Sequence, residues 1–392
     1  MHLKLIPAQS APMPKDRIKI ASIKSEKEDS ETPLQPYEIL SYPADYTLEL
    51  LVDKWAKDEI KSPRLQRRYI WPIARASKLI ESFLLGLPVP PIFVYQDRED
   101  NSLLIVDGHQ RIRSIAYFFS GWFGEPDDPK REIFRLTGLN VKSPFADVDF
   151  GQLQTTDPGA INRLKNSVLR AFIMKQIHPA DDTSILEIFE RLNTGGMIAQ
   201  GQEIRNCVYE GTFNELLKKL NKNDDWRKIV GGAVEDRRMR DVELILRFLA
   251  LFYDVKSYDK PLKTFLNNFM RANRRAPVKP VKGKQKEFDE KMETFDALFT
   301  QTAKAVVKYL GPKPFHIRRG LNAAVFDSVF TAFGRHIDEI DKAPKLDHIR
   351  QVKANFQKLL ENDEYQAWVS ASTTDKDVVP ARLKKADQVL FD

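Results

Sequence analysis

The stretch that most constrains the fold is residues 103–115, LLIVDGHQRIRSI. Its first four residues form an apolar run long enough for a buried strand, which breaks at Asp107-Gly108, where glycine allows a tight turn. From Gln110 onward, Ile112, Ile115, Ala116 and Phe119 fall at helical spacing, so the strand passes directly into a helix. The first backbone N–H groups of a helix lack internal partners and lie at the positive end of its dipole, which makes such an end an anion site. Arg111 and Arg113 follow at once, and a guanidinium can grip a phosphate in bidentate fashion. The simpler alternative is that Asp107 caps the helix and the arginines are solvated.

A chain of 392 residues can bury a large core and allows two or three domains. Its 42% hydrophobic and 30% charged residues describe an ordinary soluble protein, and a net charge of +7 is compatible with nucleic acid without requiring it. The single cysteine, Cys207, excludes an internal disulfide and suits a reducing cytoplasm. It reads as a packing residue rather than a nucleophile. No apolar run is long enough to span a bilayer, and the N-terminus has no apolar signal core.

Along the chain, residues 1–35 are too polar to build a core and read as a flexible lead-in. A helix begins after Thr47 with Leu48, Leu51, Val52 and Trp55 on one face. Gln66-Arg67-Arg68-Tyr69 is a short basic, aromatic segment ended by Pro72. The next helix turns Ala76, Leu79, Ile80, Phe83 and Leu84 inward and stops at Gly86. Prolines 88, 90 and 91 force an extended entry into the strand IFVY, and LLIV is the second strand. Residues 132–153 read as small strands or loops, and 167–178 as a strand beside the first two. The helix SILEIFERL then ends in NTGG, and Glu203, Ile204 and Arg205 open another.

From about 212 the pattern is helical, with 241–254 apolar almost all round and therefore central to the second half. Residues 271–286 hold seven basic and no acidic residues, Arg271, Arg274, Arg275, Lys279, Lys282, Lys284 and Lys286, and read as a mobile basic loop that would touch DNA phosphates. Helices resume near 287, 320 and 345. The expected fold class is α+β, with a mixed sheet and its helices over 36–210, a helical part over 211–370 and a polar tail over 371–392.

A Gln-Arg segment, a helix with Ile-Glu-Ser, a proline-rich entry to a Pro-Ile strand, a strand ending in D-G-x-Q-R, then F-x-R-L-N-T-G-G and E-I-R-N occur in that order. Over roughly residues 50–255 this order resembles the N-terminal domain of GmrSD-type, modification-dependent (type IV) restriction enzymes, whose core is related to the ParB/sulfiredoxin fold. The resemblance implies nucleotide binding and hydrolysis at Asp107, Gly108, Gln110 and Arg111, which match the family's DGQQR motif. It matches Gln66 and Arg67 to the Gln-Arg segment, and Glu81 with Ser82 to the helix beside the site. Phe189, Arg191, Asn193, Thr194, Gly195 and Gly196 correspond to the second loop, and Glu203, Arg205 and Asn206 to the third.

His109 replaces the usual first Gln of the motif; it can still donate a hydrogen bond, and its charge can change near neutral pH, so a part in proton transfer and a tolerated swap both stay open. Phosphoryl transfer needs positive groups, a fixed cradle and a means of orienting water or metal. Arg67, Arg111 and Arg113 could supply the charge, Asn193 and Gln110 the pose, and Asp107 with Glu203 could hold Mg²⁺. Equally, Glu203 and Arg205 could pair with each other or with neighbours. For Tyr69 and Trp71, core packing is a simpler reading than base stacking.

Many members of the family carry a His-Asn-His nuclease domain, but the six histidines, His2, His109, His178, His316, His336 and His348, form no such cluster in sequence. The expectation is a cytoplasmic NTP-binding protein, an NTPase, that couples nucleotide state to DNA engagement in defence against foreign or modified DNA. The alternatives are a non-hydrolysing nucleotide-gated or plain DNA-binding module acting with a separate nuclease subunit, and third a small-molecule phosphotransferase. Homo-oligomerisation stays open.

Overall fold

The computed structural model describes residues 36–391 apart from 62–68, 99–100, 127, 130, 180–183, 193–200, 210, 237, 275–283, 318–319 and 341–345. The first part runs β1 (Glu38–Thr47), α1 (Leu48–Ala56), β2 (Ile60–Lys61), α2 (Ile73–Leu84), β3 (Ile92–Gln96), β4 (Leu103–Asp107) and α3 (His109–Ser120). It continues with β5 (Trp122–Phe123), β6 (Glu132–Ile133), α4 (Phe150–Thr156), α5 (Pro158–Asn166), β7 (Val168–His178), α6 (Ser184–Leu192) and α7 (Gly201–Val208). The second part is α8 (Thr212–Leu220), α9 (Asp224–Val230), α10 (Arg240–Asp254), α11 (Leu262–Ala272) and α12 (Lys284–Leu310), then a hairpin of β8 (His316–Ile317) and β9 (Gly320–Leu321). It ends with α13 (Ala323–Arg335), α14 (Ile337–Ile340), α15 (Leu346–Glu361), α16 (Asp363–Ser370) and α17 (Val378–Phe391). The protein is thus α+β, with a mixed sheet followed by a mainly helical half.

The main sheet has the order β1-β7-β3-β4-β2. β1 pairs antiparallel with β7, β7 parallel with β3, β3 antiparallel with β4, and β4 parallel with β2. Side chains alternate between faces with the period of two that strands impose. Ile92, Val94, Ile105, Leu169, Ala171 and Ile173 enter one core with α1, α2, α3 and α5. Tyr95, Leu104, Val106 and Met174 face the other way and share a second core with α6, α7 and the helical half as far as Leu390. β1 had no counterpart in the sequence reading. It carries Pro43 in mid-strand, which lacks an N–H and is tolerated because β1 is an edge.

Two segments differ from expectation. Residues 371–392, read as a polar tail, hold α17, which packs on α13 and α15. Its Val379, Leu383, Ala386 and Leu390 are buried, roughly 2 kcal/mol for each of the larger side chains. Arg382 on this helix donates to the carbonyls of Trp368 and Thr373 and lies 3.5 Å from Asp327. α10 is buried from Asp241 to Leu251 apart from Glu243, and it contains Arg247, whose guanidinium forms a two-pronged pair with Asp327 of α13. The basic stretch 271–286 is likewise not all loop. Arg271 belongs to α11, Lys284 and Lys286 to the first turn of α12, and Arg275, Lys279 and Lys282 lie outside the described residues.

Candidate functional site

The strand-to-helix turn forms as the sequence predicts. Gly108 has φ +100°, and a Cβ there would stand 2.3 Å from Cγ2 of Ile92, so both the conformation and the close approach require glycine. No side chain caps α3, and its first turn contains no acidic residue. Asp107 therefore does not act as the N-cap. Its Oδ2 instead accepts from Nη2 of Arg111 at 2.7 Å, one helical turn on. The same Nη2 reaches the carbonyl of Pro91 at 3.1 Å, so Arg111 ties the turn to the start of β3. Arg111 is mostly buried, its Nε has no hydrogen-bond partner, and the Asp107 side chain is 43% exposed.

His109 and Gln110 act as a pair. Oε1 of Gln110 accepts from the backbone N–H groups of Ile70 at 3.1 Å and Trp71 at 3.3 Å, which fixes the orientation of the amide. Its Nε2 then faces Nε2 of His109 at 3.0 Å. An amide nitrogen can only donate, so the imidazole nitrogen accepts and the ring is neutral. Burial, with the Arg113 charge nearby, pushes the His109 pKa down to about 4. The anticipated change of charge near neutral pH is therefore absent from this ring.

Tyr69 follows the Gln-Arg segment and is held by packing. Its hydroxyl lies 2.7 Å from Ser114, and its ring meets Tyr117 and Phe123 edge-on. Burial pushes its pKa up to about 12. The Trp71 ring is covered by the Arg75 guanidinium at 4.2 Å. Both aromatics take the packing role rather than the stacking one. Glu81 accepts from Ser143 at 2.5 Å, on the loop that covers α2.

Other candidates separate from the turn. Arg113 is 5% exposed, paired with Glu125 and placed over the Tyr117 ring, so its charge is spent inside α3's own packing. Arg205 is 3% exposed and donates to Asn267 at 2.8 Å, Gln202 at 3.1 Å and Glu243 at 2.9 Å. Asn206 beside it is bonded to Gln202. The E-I-R-N motif thus fastens α7 to α10 and α11, and the pairing of Arg205 with neighbours is the alternative that the structure bears out. Arg274, expected at DNA, is 7% exposed and bonded to Asp97. Lys286 is exposed, 3.6 Å from Glu290. Gln66, Arg67, Asn193, Thr194, Gly195 and Gly196 lie outside the described residues, as do the side chains of Glu203 and Lys284.

Residues 48–210 match the family model described as GmrSD restriction endonuclease, N-terminal domain. Over these residues the chain is similar to that family. No curated protein and no solved structure matches the chain. The matched region spans α1 to α7 and contains the Asp107–Arg111 turn, a narrower span than the 50–255 over which the motifs run. No helix among the described residues is long and apolar enough to cross a membrane. Nor do three or more His, Cys, Asp or Glu side chains cluster there as a metal cage. A Mg²⁺ ion carried in with phosphates needs only one or two carboxylates, and Asp107, with one oxygen on Arg111 and the other outside that pair, fits that role.

Proposed function

We propose that the region similar to the GmrSD N-terminal domain binds an NTP at the junction of β4 and α3, hydrolyses it, and couples nucleotide state to DNA engagement in defence against foreign or modified DNA. The observation that carries this is the uncapped start of α3 beside a half-exposed carboxylate and a buried arginine, at the DGxQR positions of a family named for a restriction enzyme. The first N–H groups of α3 would receive phosphate oxygens, and Arg111 would hold Asp107 in place for Mg²⁺. Mg²⁺ would neutralise phosphate charge. Gln110 holds the backbone of Ile70 and Trp71, a few residues after the Gln-Arg segment in sequence, and Gln66 and Arg67 are assigned to the nucleotide by that segment's match to the family. DNA contact is assigned to the basic stretch 271–286 with Arg274 left out, and Lys286, in the first turn of α12, is its exposed member among the described residues.

One observation favours a second form of this proposal. The His109 ring is neutral and hydrogen-bonded to Gln110, which leaves it unsuited to general acid work, so a nucleotide-gated module without turnover is the runner-up. Such a module would act with a separate nuclease subunit, whose identity and the oligomeric state are both open to direct measurement. Phosphate release from each of the four NTPs with Mg²⁺, with and without DNA, compares wild type with Asp107→Ala. Turnover lost in the variant supports the NTPase; binding without turnover supports the gated module; no binding of any NTP by wild type rejects both.

A further inference from the structure

Phe93 on β3 and Phe172 on β7 are register partners whose rings stack, with centroids 5.5 Å apart and planes 21° from parallel. Both lie on interior strands of the sheet, yet both are only half-buried. Large aromatic rings at the centre of a sheet are ordinarily fully covered, so a pair left partly exposed is the informative exception. Their side of the sheet is fixed by alternation: Ile92, Val94, Ala171 and Ile173 enter the core of α1, α2 and α3, so the two phenylalanines face the opposite way. On that face the helical cover takes in Tyr95, Leu104, Val106 and Met174 and reaches Phe93 only in part. Among the described residues, Phe172 belongs to neither core.

The cover thins over Phe93 and Phe172, toward the end of the sheet where β4 delivers Asp107. Phe93 is the register partner of Asp107, across an irregularity that sets Val106 and Asp107 opposite one residue. One row across the sheet therefore reads Pro43, Phe172, Phe93, Asp107. Strands stand about 4.8 Å apart, so Phe172 lies roughly 10 Å from Asp107, a distance that a sugar can bridge between a phosphate and a base. The Arg170–Asp45 pair bounds the outer edge.

We infer that Phe93 and Phe172 form the platform on which the base of the bound nucleotide stacks. The inference rests on the nucleotide site proposed above and adds to it the part that recognises a nucleoside rather than bare phosphate. Every base has a π-face, so a stacking platform accepts all four with little preference.

Isothermal calorimetry with the full chain, Mg²⁺ and either ATP, CTP or inorganic tripolyphosphate tests this. Phe172→Ala should weaken both nucleotides by about tenfold or more and leave tripolyphosphate unchanged, while Phe172→Tyr keeps the wild-type affinities. Phe172→Leu, which retains apolar bulk without a ring face, answers the same question should the alanine variant fold poorly. Undiminished nucleotide affinity in these variants, or wild type binding ATP no tighter than tripolyphosphate, overturns the platform alone. Wild type that binds none of the three overturns the nucleotide site and the platform together.

Discussion

Nη2 of Arg274 lies 2.7 Å from Oδ2 of Asp97, joining side chains 177 residues apart that are 8% and 15% exposed. Asp97 follows β3 and Arg274 follows α11, so this pair fastens the helical half to the β3–β4 turn. Removing one partner of a buried pair leaves the other charge stranded, at a cost of about 3–5 kcal/mol. Arg274→Ala should therefore lower the urea midpoint substantially. In contrast, it should leave the slope of log affinity for DNA against log salt where it was, while Lys286→Ala reduces that slope by about one. A slope that drops for Arg274→Ala and not for Lys286→Ala would reverse the assignment.

Arg205 offers a second separation of structure from binding. Its guanidinium has three partners on α7, α10 and α11, and Arg205→Ala strands Glu243 in their midst. The expected outcome is a loss of about 3 kcal/mol or more in stability. At a temperature where the variant remains folded, ATP affinity should match wild type. A tenfold weaker affinity in the folded variant would return Arg205 to the ligand.

For His109 the sign follows from its pKa of about 4 in the folded protein against an ordinary 6.5. The unfolded chain binds the extra proton first, so stability is full above pH 6.5 and falls as the pH drops toward 4. The loss is up to about 3 kcal/mol. Denaturant titrations at pH 7 and pH 4.5 should show a smaller pH-dependent loss in His109→Gln than in wild type. Equal losses in the two proteins would mean that the ring is not held neutral.

Gly108→Ala combines a left-handed backbone, about 1–2 kcal/mol for a residue with a Cβ, with overlap against Ile92. Circular dichroism should report a destabilised but helical protein, and the distorted turn should bind ATP at least tenfold more weakly. Gly86→Ala makes a control, since it shares a positive φ of 71° and has nothing within 4 Å of the new methyl.

The turn itself was legible because its parts are local. LLIV, Asp107-Gly108 and the spacing of Ile112 and Ile115 define strand, turn and helix within thirteen consecutive residues. β3, β7 and the buried α10 were readable for the same reason. The fates of the arginines were not, because Arg111, Arg113, Arg205 and Arg274 look alike in sequence and differ only in what the fold brings beside them. Arg113 meets Glu125, Arg205 meets Glu243 and Arg274 meets Asp97, the last two across long separations. The Phe93–Phe172 stack was hidden likewise, each ring passing for an ordinary strand residue until the register set them together. Edge strand β1 escaped because Pro43 argues against a strand unless one knows that it is at an edge.

The sheet packs one face against α1, α2, α3 and α5 and gives the other to a core that α6 and α7 share with the helices that follow residue 210. A fragment cut at that boundary would keep α6 and α7 on the sheet but lose most of the interior that Tyr95, Leu104, Val106 and Met174 share, and would precipitate or recruit a substitute for what it lost. The sheet domain and the helices behind it thus form a single casting. Any shift of β4 at its Asp107 end presses through Val106 into that shared interior, so an event at the turn has a short, dry route to the far helices.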